Sequence, residues 1–134
     1  MVRLPRKPNA MNLLLAITGI IETATGLALL VLPATVVRLL LGSPLESSPE
    51  IVIARVAGAA LLALGVACWL GRNDIHSAAA RGLVAAMLLY NVGAVVILGA
   101  AGVNGQNVGI ALWPAVLLHA AMSVWCVAGI FGSN

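Results

Sequence analysis

Charge is what this chain has least of. Only 8% of its 134 residues are Asp, Glu, Lys or Arg, whereas 62% are hydrophobic and the mean hydropathy is +1.10. A water-soluble domain of this size needs far more polar surface, so the composition places the chain in a lipid bilayer. The 7 Lys and Arg against 4 Asp and Glu give a net charge of +3. These charges cluster at the ends of apolar runs and read as topology signals, which makes nucleic acid a poor partner. Aromatic residues are also scarce, at 4%. The two cysteines, Cys68 and Cys126, have no CxxC spacing. That excludes a zinc site built on thiolates, supplies no disulfide framework and leaves the redox compartment open; small buried packing residues are the simpler role for both. No nucleotide-binding loop, GxSxG elbow, catalytic dyad motif or glycosylation sequon is present, so no catalytic residue is assigned.

What the chain has instead is long apolar runs. Four segments, 11–32, 51–70, 80–101 and 110–131, reach the roughly 20 residues that a helix needs to cross a hydrocarbon core of about 30 Å. The first, Met11 to Leu32, exceeds the roughly 7–15 residues of a signal-peptide core, and no good small-x-small cleavage site precedes Pro33. It is therefore expected to be a retained span. The stretch 34–42, with Arg38, is too short to cross and reads as an interfacial helical turn after Pro33. In "SSPE", Ser48 is the expected N-cap of the second helix, with Pro49 at the first helical position and Glu50 favouring the positive helix end. Arg3, Arg6 and Lys7 precede the first helix and Arg72 and Arg81 flank the second loop, whereas the opposite side has only Arg38 and Arg55. The positive-inside bias puts both termini in the cytoplasm, and the interfacial aromatics Trp69 and Trp113 then fall near opposite membrane faces. The expected fold is an all-α integral membrane protein: one domain, 1–134, built as an up-down four-helix transmembrane bundle.

One carboxylate interrupts the first run. Glu22, in "GIIETATG", lies about 15 Å from either end of its helix, at the bilayer midplane. It shares a helix face with Leu15, Thr18, Gly19, Thr25, Gly26 and Leu29, while Leu13, Ile17, Ile20, Ala24, Leu27 and Val31 form the opposite, aliphatic face. The polar face is expected to point into the bundle, where Gly19 and Gly26 let another backbone approach. Asn91 in the third helix is also central, and His119 in the fourth lies within about one turn of the midplane. Arg55 starts about 6 Å inside the outer end of the second helix, on a stripe with Gly58, Ala59, Leu62 and Trp69, and its long stem is expected to reach toward Glu22.

For Asn91 and Tyr90, hydrogen bonding across helices is the simpler role, at about 0.6 kcal/mol per bond in a bilayer. An ionisable group at the midplane costs about 2.5–3.5 kcal/mol, more than one such bond returns, so Glu22 reads as functional. Whether it carries a proton or pairs with Arg55 stays open. His119 shares its face with Ser123 and Cys126. A haem held by two histidines is disfavoured because His76 lies in a loop, and Glu22 with His119 lacks further ligands for a metal. The candidate ligand or proton site is thus Glu22, Arg55, Asn91 and His119, with Thr18, Thr25, Tyr90 and Ser123 around it.

With "RVAGAALLALGVACWLGR" opening the second helix, an acid in the first, and "LLYN" and "LWPAVLLHA" in the third and fourth, the chain resembles the small four-helix bacterial membrane proteins of the DoxX-like kind. The likeness covers nearly the whole chain. It implies a multi-pass protein of the bacterial inner membrane. Some members are described as membrane partners in thiol or quinone redox systems, so it further implies a pocket for a lipid-soluble ligand such as a quinone, or support of a redox partner. The small multidrug resistance exporters are similar in outline, with four short helices and one membrane glutamate, which Glu22 would match. They are shorter, lack an arginine at the place of Arg55, and have an aromatic-rich pocket. Three functions follow: a ligand-binding membrane protein, a proton-coupled exporter using Glu22, or a purely structural membrane subunit.

Overall fold

The computed structural model describes residues 10–105 and 108–131. Among these it contains five helices and no strand: α1 (Ala10–Val31), α2 (Pro33–Leu41), α3 (Ser48–Gly71), α4 (Ala78–Asn104) and α5 (Leu112–Phe131). α1, α3, α4 and α5 are each long and apolar enough to cross a membrane. Their outward faces carry exposed Ile20, Val31, Ile53, Leu70, Leu117 and Phe131, a surface matched to lipid and mismatched to water. Arg3, Arg6 and Lys7, on which the expected orientation rests, lie outside the described residues, as do Gln106 and Asn107 of the loop before α5.

Local chemistry explains the helix ends. Pro33 separates α1 from α2 and starts the second helix, since its missing N–H is harmless in a first turn and disruptive within a helix. α2 stops at Gly42, whose positive φ of 73° suits glycine and whose N–H donates to the Arg38 carbonyl at 2.9 Å. α3 is capped by Ser47, one residue earlier than expected from "SSPE". The reason is the reach of Glu50: from the third helical position its carboxylate accepts the backbone N–H groups of Ser47 at 3.0 Å and Glu46 at 2.8 Å. α4 is capped by Ser77, whose hydroxyl accepts the Ala80 N–H at 3.1 Å. α5 starts at Leu112, two residues after the expected Ile110, with Pro114 in its first turn.

The helices associate as two antiparallel pairs. In α1 and α3 the contact is backbone on backbone: a Cβ built on Gly26 would lie 2.6 Å from the Leu62 nitrogen and 2.7 Å from the Gly58 oxygen. One built on Gly65 would lie 2.6 Å from the Thr23 nitrogen, and Gly19 faces Gly65 and Trp69. Four glycines therefore set this spacing, as small residues do between membrane helices. α4 and α5 meet instead through side chains, with Gly102 against Leu112 and Trp113 near one end and Asn91 against His119 midway. At the other end the two pairs close on each other around Met11, Leu14, Leu15, Cys68, Val84, Met87, Met122 and Cys126. Both cysteines are free thiols buried in that apolar core.

Candidate functional site

Away from the packed end, the two pairs leave a cavity of about 720 Å³ between them. Its walls are almost entirely aliphatic and come from all five helices, among them Leu29 of α1, Leu61 of α3, Leu98 of α4 and Leu118 of α5. α2 supplies Val36, Leu39 and Leu40. The carbonyls at the end of α2 that lack helical partners are satisfied from the loop before α5: the Ala111 N–H donates to Leu39 at 2.9 Å and the Gly109 N–H to Leu40 at 3.2 Å. These bonds hold α2 over the cavity. Its role as a wall rather than a surface turn was signalled by the spacing of Val36, Leu39 and Leu40, which puts three apolar side chains on one helical face.

The polar groups gather at one side of this apolar space. Glu22 is 4% exposed and lines it, as do Tyr90 and His119. Tyr90 of α4 lies beside Glu22 of α1, its hydroxyl turned toward the carboxyl group. The Tyr90 ring meets the His119 ring edge to face, with centroids 5.5 Å apart, joining α4 to α5. His119 Nδ1 lies 2.7 Å from Asn91 Oδ1, and the Asn91 amide nitrogen donates to the Met87 carbonyl at 2.7 Å. Tyr90, His119 and Asn91 are thus linked across α4 and α5, with Glu22 of α1 beside Tyr90.

The other expected site residues divide. Thr25 lines the cavity beside Glu22. Thr18 is buried on the same face of α1, and its hydroxyl has no hydrogen-bond partner among the described residues. The Ser123 hydroxyl donates back to the His119 carbonyl at 2.9 Å, one turn away in its own helix. Arg55 is not brought to this group: it is exposed and does not line the cavity. Gly58 and Gly65 turn α3 so that Ala54, and not Arg55, shares the buried stripe. The α3 residues that face α1 near Glu22 are Leu62 and Gly65, which leaves Arg55 about 10 Å or more away along the helix axis.

Among the described residues, every lining residue other than Glu22 is uncharged apart from any proton on His119, and none is Arg or Lys. No group of three or more metal-ligating side chains occurs among the described residues. The cavity can therefore enclose an apolar body and present an acid, a phenol and an imidazole to its polar end. No family model, curated protein or solved structure matches the chain.

Proposed function

We propose that this is a multi-pass membrane protein of the bacterial inner membrane, an up-down four-helix bundle with both termini cytoplasmic, that binds a small lipid-soluble ligand in the cavity between its helix pairs. The observation that carries this reading is the cavity itself. A space of about 720 Å³, aliphatic on most sides and polar at Glu22, Tyr90 and His119, has the size and lining of a small-molecule site. The DoxX-like resemblance points the same way, toward a quinone-sized amphipath or support of a redox partner. The midplane cost of Glu22 is lowered by its burial on the inward face of α1, 4% exposed, beside Tyr90. The test is organic extraction of protein purified in mild detergent, followed by mass spectrometry. A lipophile recovered at near one per chain from the wild type and depleted from His119→Phe supports the reading; its absence from the wild type overturns it.

A proton-coupled exporter is the second reading, favoured by one observation: among the described residues Glu22 is the only acid lining the cavity, and Arg55 stands away from it. A cationic substrate would then meet no fixed positive charge inside. This reading predicts proton-driven efflux from proteoliposomes that Glu22→Gln abolishes.

A further inference from the structure

The proton on His119 is placed by its neighbour. The Asn91 amide nitrogen donates to the Met87 carbonyl, so the atom facing His119 Nδ1 at 2.7 Å is the amide oxygen. An amide oxygen only accepts, and Nδ1 therefore carries the hydrogen. In the neutral ring this leaves a lone pair on Nε2. That nitrogen has no hydrogen-bond partner among the described residues and is not a buried orphan, and the ring it belongs to lines the cavity. The site thus offers a fixed acceptor at one point and the Glu22 and Tyr90 pair nearby.

This pattern discriminates among polar head groups. An anionic head finds no Arg or Lys on the cavity wall and meets a lone pair and an acid. A ketone or ether brings only acceptors to an acceptor, leaving Nε2 unsatisfied. An ammonium must shed its hydration at a depth where a full charge is costly. A hydroxyl fits: it donates to Nε2 and keeps lone pairs to accept from the Tyr90 hydroxyl. Resting on the reading of the cavity as a ligand site, we infer that its occupant is a neutral lipophile whose polar end is an alcohol or phenol, donating its hydrogen to Nε2 of His119.

The test compares four probes of matched tail in lipid nanodiscs: para-nonylphenol, its methyl ether, the corresponding benzoic acid and the corresponding benzylamine. Binding is read by displacement of cavity resonances and by the nitrogen NMR signal of His119. The phenol is expected to bind about five- to tenfold more tightly than the ether, the return of one hydrogen bond, and alone to shift the Nε2 signal. In His119→Phe that preference should vanish while the ether still binds. Equal or tighter binding of the ether, acid or amine overturns the inference and leaves the ligand site standing, as does a phenol preference that survives His119→Phe. Should that variant fail to fold, the wild-type signal decides, because a free protein with its proton on Nε2 contradicts the assignment. Binding by none of the four overturns the ligand-site reading and this inference together.

Discussion

The two helix pairs are held by opposite means. α1 and α3 touch through glycines so closely that a single added carbon at Gly26 or Gly65 would collide with backbone. α4 and α5 are separated by side chains and share a polar pair, Asn91 and His119, while Gly82, Gly93 and Gly99 of α4 have open space where a side chain would be. The difference teaches where precision is needed. The rigid pair fixes which way Glu22 faces, and the looser pair supplies the polar partners and the room beside it.

The largest expected effect breaks the rigid side. Gly26→Leu or Gly65→Leu must push α3 off α1, and a loss of about 3 kcal/mol or more is expected in denaturant unfolding in detergent. Gly82→Ala, with nothing within 4 Å of the new carbon, is the control that should be neutral or slightly stabilising. Next comes the polar contact of the other pair: Asn91→Leu strands His119 Nδ1 without its acceptor and should cost about 1–2 kcal/mol by thermal unfolding. Thr18→Val is expected to act in the other direction, since it replaces a buried hydroxyl that has no partner with a methyl group of similar size. A gain of about 1 kcal/mol would place Thr18 among passive core residues, and a loss would show that its hydroxyl is used. The smallest effect is assigned to Arg55→Met, which should change stability by less than about 0.5 kcal/mol and leave retention of a bound lipophile unaltered.

The long helices were legible because bilayer length and apolar composition leave few alternatives. The inward face of α1 was legible too. Leu15, Thr18, Gly19, Glu22, Gly26 and Leu29 are buried, while Leu13, Ile20, Ala24, Leu27 and Val31 are exposed. One acid, two glycines and Thr18 mark a face on a helix whose opposite side is largely aliphatic. Counting residues from the helix ends also anticipated the common depth of Asn91 and His119, which meet. It misplaced Arg55 because depth says nothing about rotation: the turn of α3 about its axis is set by Gly58 and Gly65 against α1, a pairing that no single helix reveals. The apolar face of α2 was legible in Val36, Leu39 and Leu40, but not what it packs against: its anchor is the backbone of Gly109 and Ala111, and main-chain donors leave no trace in side-chain pattern.

The central claim is that the space between the pairs holds a molecule, and Gly93 allows the most direct test. It lines the cavity and has nothing within 4 Å of an added side-chain carbon, so Gly93→Phe fills the space without disturbing either helix pair. Native mass spectrometry from mild detergent should show wild-type protein carrying a bound lipophile and Gly93→Phe carrying none, at an unchanged helical content. Equal occupancy of the two proteins, or an empty wild type, would contradict the account.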